Sequence, residues 1–206
     1  RAKLSPVFDV SCSFIDETNG FWVCAIDEDN NVVHTQAVRL LDLSATTLGA
    51  HFDTHRHKYI TPDSTPDPDK TWFRGPQALA TLSGKTTYCS DYWTCPRIAG
   101  CSTGHEAAEL LSSLLFEVMH QTWEFDYAFA MASKREIGQS TQLRMEFNNC
   151  EAGRWIGPDQ QITEEMYLFW TSSDASKGSL VRDLQNAPIG VATPAAEKVS
   201  VFSGEA

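Results

Sequence analysis

Positive charge is scarce in this 206-residue chain: 16 Lys and Arg face 27 Asp and Glu, a formal net charge of −11. Nucleic acid and anionic membranes both recruit basic surfaces, so neither is expected as the main partner. No stretch approaches the ~20 apolar residues that a membrane-spanning helix needs. The chain has no N-x-S/T sequon, so N-linked glycosylation is not implied. It also lacks a G-x-S-x-G elbow, a P-loop and a Rossmann glycine pattern. The H-x-E…P-C-x-x-C signature of zinc deaminases is missing too, although Cys95-Pro96 supplies a fragment of it.

With 42% apolar and 21% charged residues, the composition is that of one globular domain able to bury a substantial core. Six cysteines stand at 12, 24, 89, 95, 101 and 150, three of them in CSDYWTCPRIAGC. An even count of this kind predicts three disulfides among Cys12, Cys24, Cys89, Cys95, Cys101 and Cys150 in a secreted, extracellular protein. The spacing C-x5-C-x5-C is not that of a zinc ribbon or finger, which opens with C-x2–4-C. Cys12 and Cys24 would be partners if DETNG between them is a hairpin turn. The opening RAKLSP carries no apolar leader, as expected of a mature chain whose signal peptide has gone, or of a fragment from a longer precursor.

Periodicity predicts a hairpin from FDVSCSFI (8–15) and GFWVCAID (20–27). Apolar residues at Val33, Ala37, Leu40, Leu41 and Leu48 suit a helix over 32–50, stopped at Gly49. Prolines 62, 66, 68 and 76 make 51–76 a loop. Residues 101–121 form the strongest helical pattern. Thr103 and Glu106 make a capping box, and Ala107, Leu110, Leu111, Leu114, Leu115 and Val118 form the stripe expected to face the core. Further helices are expected over FDYAFAMAS (125–133) and 140–147. EEMYLFW (164–170), GSLV (178–181) and KVSVF (198–202) are short apolar segments of unassigned type.

Within the long helix, SLLFEVMH (113–120) is one letter from H-E-x-x-H. That signature works because positions four apart share a helix face, so two imidazoles converge on Zn²⁺ while the Glu activates bound water. Here Phe116 takes the place of the first histidine. Glu109, Ser113, Phe116 and His120 form one stripe, and Glu117 lies beside it, away from the leucines. A histidine near a helix C-terminus is also favoured by the helix dipole alone. A second candidate metal cluster is HFDTHRHK, with His51 and His55 four apart, His57 beyond and Asp53 among them. A solvated segment leading into the proline loop explains the same residues. His105 and Glu109 form another pair four apart, and His34 has no evident partner.

YCSDYW (88–93), the cysteine-rich turn, HEAAELLSSLLFEVMH and EFDYAF (124–129) together resemble the deuterolysin-like fungal zinc peptidases, the aspzincins, over about residues 86–150. The resemblance implies that Glu117 matches the general base, His120 the second histidine ligand and Asp126 the aspartate ligand. Phe129 stands where the family has a tyrosine, and Trp123 and Glu124 stand where it has Gly-Thr. Zn²⁺ wants three protein ligands and an open position, and Phe116 offers no donor atom. No cofactor is therefore expected, with zinc on His120 and Asp126 as the alternative.

The resulting expectation is a single disulfide-bonded α+β domain (1–206) with a zincin-like helix at about 104–121. A zincin-like core would span about 30–150, with a C-terminal extension over 151–206. The function expected is that of a secreted pseudoenzyme. Glu117 would be a vestigial base, and Phe116, His120, Asp126 and Phe129 would line a former active-site cleft that binds a protein or small-molecule ligand. The fungal resemblance implies an effector or virulence role. The alternatives are an active zinc peptidase with ligands rewired through His105 or the 51/55/57 cluster, and a small secreted interaction protein unrelated to zincins.

Overall fold

The computed structural model describes residues 4–59, 67–99, 102–134 and 147–177. A seven-stranded mixed sheet dominates it, in the order β1-β2-β4-β5-β7-β6-β3. The strands are β1 (Gly20–Ile26), β2 (Val32–Leu43), β3 (Trp72–Arg74), β4 (Gly84–Thr94), β5 (Tyr127–Ser133), β6 (Asn149–Ile156) and β7 (Ile162–Ser172). All neighbours are antiparallel except β4 and β5, which run parallel with Tyr88 beside Phe129. A parallel pair needs a crossover. Here it consists of α2 (Pro96–Ala99) and α3 (Ser102–Thr122). The two other α-helices among the described residues are short, α1 (Leu48–His55) and α4 (Ser173–Ser176).

The sheet is covered on both sides, and β5 shows why its sequence suits that position. Tyr127, Phe129 and Met131 point to one core, with Phe8, Leu48, Phe52, Phe73, Tyr88, Trp155 and Leu168. Ala128, Ala130 and Ala132 point to the other, beneath Leu115, Phe116 and Met119 of α3. Alternation of large and small is a period of two, so FDYAFAMAS is a strand rather than the expected helix. In the same way β2 buries Ala37 on one side and Val38 on the other. A central strand buried on both faces shows a nearly continuous apolar run, and the run over 32–43 imitates helical spacing.

Other expectations change as well. Residues 8–15 form turns, with the Asp9 carbonyl accepting from Cys12 and Ser13 at 2.9 Å, and β1 pairs with β2 instead. Strands β6 and β7 arise from the stretch read as an extension and supply Trp155 and Leu168 to the core. The segment 51–76 contains the end of α1 and β3. On α3 the buried side is Ala108, Ser112, Leu115, Phe116 and Met119, while Leu110 and Leu114 are exposed. Leu110 and Leu114 of the expected stripe are thus turned outward while Leu115 stays in the core, because the alanine floor of β5 accepts the bulky Phe116 and Met119.

The expectation of a disulfide-bonded α+β domain is overturned: the structure is mostly one mixed sheet with few helices, and no described cysteines lie at disulfide distance from one another. The disulfides expected of Cys12, Cys24, Cys89, Cys95 and Cys150 are therefore corrected, each for a reason of placement. Cys12 and Cys24 are both exposed and are not held together, since no hairpin joins 8–15 to 20–27. Cys89 is buried on β4, with its Sγ 4.0 Å from the Met119 sulfur. Cys95 caps the end of β4, where its amide donates to the Val33 carbonyl at 2.8 Å. Cys150 is exposed on β6 and stands opposite Phe169 of β7, three strands of the sheet away from β4. The extracellular expectation rested on that bonding and loses this support. Cys101, the segments at 140–146, 178–181 and 198–202, and the side chains of Thr103 and His105 lie outside the described residues.

Phe52 meets Tyr59, Phe73, Phe129 and Trp155 at ring-centroid distances of 4.6 to 6.4 Å. Phe52→Ala is expected to lower stability by about 3–5 kcal/mol, because no neighbouring ring can fill the cavity. Ala130→Leu, which overfills the α3 side, should cost about 1–3 kcal/mol. Urea-denaturation midpoints measure both.

Candidate functional site

Asp126 sits where β5 starts, and its carboxylate accepts the Lys85 backbone amide at 2.8 Å. The Asp126 amide returns a bond to the Lys85 carbonyl at 2.7 Å. Gly84 makes this closeness possible: its φ is +78°, and a Cβ there would collide with the Asp126 carboxylate. His120 lies on the last turn of α3, its ring 4.8 Å from that of Phe125. These residues open onto one cleft of about 710 Å³, lined also by Ser83, Trp123, Glu124, Tyr127, Ser172, Ser173, Asp174 and Lys177. The carboxylates of Glu124, Asp126 and Asp174 outnumber Lys177, which pairs with Asp174 at 2.7 Å.

Hydrogen-bond direction fixes what His120 does. Ser176, 2% exposed, donates its one proton to the Ser173 carbonyl at 3.0 Å. The 3.0 Å contact between Ser176 Oγ and His120 Nε2 therefore has the imidazole as donor. A serine nucleophile needs the reverse, its proton aimed at an unprotonated imidazole nitrogen. Burial lowers the His120 pKa and Lys177 adds to this, against Glu117 and Asp174, so the ring is neutral at pH 7.

The other residues singled out in the sequence lie elsewhere. Phe116 is 2% exposed in the core under α3, 5.6 Å from Phe147. Phe129 is in the core on the opposite face of the sheet, stacked 4.8 Å from Tyr88. Phe116 and Phe129 therefore share no cleft with each other or with His120 and Asp126. Glu117 accepts from Gln121 at 2.8 Å on the outer side of α3. His51 contacts the Tyr59 hydroxyl at 2.8 Å and its ring lies tilted against that of His55 at 4.8 Å, while Asp53 pairs with Arg74 at 2.6 Å. Among the described residues no three His, Cys, Asp or Glu side chains converge to hold a metal ion, His51, His55 and His57 included. The zincin-like reading is corrected on that ground: residue 116 faces the sheet, so the position that should carry the first histidine is core, and zinc does not fit the described side chains. Among the described residues no helix is long and apolar enough to cross a membrane.

His34 is also a core residue, 2% exposed. Gln36 Nε2, which can only donate, lies 2.9 Å from His34 Nε2 and 2.8 Å from Ser112 Oγ. His34 Nε2 must therefore be the acceptor, leaving Nδ1–H to donate to Thr94 Oγ1 at 2.9 Å. This chain of bonds ties β2 and β4 to α3 and requires a neutral ring.

Within the cleft, His120 and Asp126 are the residues that the sequence pattern singles out; Trp123, Phe125, Tyr127 and the 172–177 segment are not. The cluster WEFDY between a helix and a strand was a usable signal, since crossover ends gather side chains at one rim. The 172–177 segment becomes a neighbour only through the β5–β7 pairing, which no local pattern announces. No family model matches this chain, and no curated protein matches it either.

Phe116→His, which completes H-E-x-x-H, is expected to bind no stoichiometric zinc and to lose about 2–4 kcal/mol of stability, since it buries an imidazole in an apolar site. Metal content by mass spectrometry, together with denaturation, checks both. A pH dependence follows from the two buried rings. Burial holds His34 at a pKa of about 4, and burial with the nearby charges of His55, Lys58 and Arg39 does the same for His51, against an ordinary 6.5. The unfolded chain then binds more protons between pH 6.5 and 4, so stability falls as the pH drops through that window. Asp16, Asp27 and Asp42, held below their ordinary 3.8 by turn hydrogen bonds, add their loss only at lower pH. Urea midpoints between pH 7 and 4 should fall, and His34→Gln should flatten the slope by an amount on the order of 2 kcal/mol.

Proposed function

We propose that the protein acts by binding, and that its cleft receives a positively charged group such as a primary or secondary amine. The observation that carries this is the lining: carboxylates of Glu124, Asp126 and Asp174 beside the rings of Trp123, Phe125 and Tyr127. Aromatic faces and carboxylates both favour a cation, and the ring quadrupole adds to the Coulomb attraction where water is thinned. Lys177 neutralises Asp174 and leaves Glu124 and Asp126 to set the sign. A neutral His120 that donates to Ser176 adds no competing charge. This reading keeps recognition as the role and places no reacting group in the cleft.

Spermidine is a suitable probe. Titration followed by NMR of the Trp123, Phe125 and Tyr127 signals should show saturable binding that weakens as salt rises through the Debye range. Glu124→Gln should weaken it about three- to five-fold. Asp126→Asn is a poor test, because that carboxylate also holds the Lys85 amide. Glutarate binding as well as spermidine, or spermidine leaving these signals unmoved at millimolar concentration, would overturn the assignment.

A further inference from the structure

The two edges of the sheet are built differently. β3 is three residues long and ends at Arg74, which is paired with Asp53. β1 runs for seven residues, GFWVCAI, with no charge and no proline. Natural edge strands are blunted by lysine, proline or inward charge, because a bare edge accepts another strand. β1 carries none of these, and its bulge comes only at Ala25/Ile26. Its surroundings are also apolar: Val10, Phe14, Trp22, Ile26 and Val32 are all exposed, from 37% at Trp22 to 77% at Phe14.

The register shows which backbone groups are on offer. The Leu40 amide donates to the Asn19 carbonyl at 2.9 Å. Continuing the register, in which Gly20 faces Arg39, these two residues are a hydrogen-bonded pair. Alternation then directs the N–H and C=O of Phe21 and Val23 toward β2 and those of Trp22 and Cys24 outward, while the Gly20 amide is already taken by the Asp16 carbonyl at 3.0 Å. Phe21 and Val23 pack on the α3 side of the sheet, while Trp22 lies across the other side with its ring 5.9 Å from Phe8. The strand is thus held firmly on its inner side and presents an ordered outer ladder.

Charge selects the occupant. Asp16 and Glu17 precede β1, and Asp27, Glu28 and Asp29 follow it; Asp27 is paired with Arg97 at 2.6 Å, which leaves Glu28 and Asp29 to set the sign at that end. A second copy pairing antiparallel would bring the acids at one end of β1 against those at the other end of its twin, which like-charge repulsion opposes. An extended segment with apolar residues in its middle and lysine or arginine at both ends meets apolar with apolar and acid with base. We propose that β1 is a docking edge for such a strand in another protein, taken up by β-augmentation.

The test uses the intact chain and a synthetic peptide, Lys-Lys-Val-Thr-Val-Thr-Val-Lys-Lys, with a counterpart carrying Glu in place of Lys. Isothermal titration should detect the basic peptide and not the acidic one, and amide NMR shifts should concentrate on 20–26. Cys24→Pro removes one outward N–H at an edge, where proline is tolerated. It should weaken the basic peptide about ten-fold while leaving the thermal midpoint within a few degrees. Should that variant fail to fold, Trp22→Lys, which adds an edge charge that repels the peptide, replaces it with the same expected loss. Equal binding of both peptides, no binding, or shifts that avoid β1 would overturn the proposal. A stable dimer by light scattering that Cys24→Pro dissolves would overturn it in favour of self-pairing.

Discussion

The packing of α3 on three alanines is the constraint on which the rest of this structure depends. Ala128, Ala130 and Ala132 keep that face of β5 low, so Phe116 and Met119 can sink until they are almost fully buried. The same strand sends Tyr127, Phe129 and Met131 to the other side, where the aromatic cluster around Phe52 needs bulk. Exchanging the two sets would overfill one core and empty the other, and a one-residue slip in register would do the same. The parallel pairing of β4 and β5 is therefore tied to a side-chain pattern. The crossover helix has one seat, and the pattern on β5 determines its depth.

That seat also determines where the cleft lies. α3 ends at Thr122 and β5 begins at Tyr127, so Trp123 to Asp126 must turn the chain sharply at the rim of the sheet. Asp126 closes the turn by bonding across to the Lys85 backbone, and Trp123 is fixed by its Nε1–H to the Thr18 carbonyl at 2.9 Å and by its ring against Phe21. Glu124 is left pointing outward between two anchored neighbours. The acidic rim is in this sense a consequence of closing the crossover, and the polar groups of 172–177 are added to it by the pairing of β5 with β7.

What could be read from the sequence follows from where each signal resides. The long helix announces itself locally, because its spacing and termini are properties of one segment. Its orientation does not, because Leu110 and Leu114 look like core until the alanines of β5 are known to face Phe116 and Met119. β2 and β5 were hidden for a related reason: strands buried on both faces lose the apolar–polar alternation that identifies a surface strand. The cysteines misled because count and spacing carry no information about placement: no hairpin brings Cys12 to Cys24, and the sheet order sets Cys150 on a strand remote from Cys89. His120 belongs to a motif whose first position, Phe116, lies in the core, and Asp126 is singled out only by the family resemblance. The two share a cleft because the end of α3 lies beside the start of β5, a relation that survives without the chemistry the motif implies.

The distribution of acidic residues completes the link between fold and recognition. Asp16 and Asp42 accept from the hydroxyl and then the amide of Thr18 and Ser44, and Asp27 accepts first from the Asn31 amide, and these turn bonds hold the three carboxyls below their ordinary pKa. Among the described residues, Glu17, Glu28 and Glu124 have no comparable structural task, and they border β1 and the cleft. Surface carboxylates crowded together repel each other and cost stability unless a counter-charge arrives. The rim of the cleft and the ends of the bare edge are where a counter-charge would relieve most repulsion, which is why both proposed partners are sited there. Among the described residues the acids thus divide between closing turns, pairing with bases as Asp53 does with Arg74, and bordering the cleft and the ends of β1.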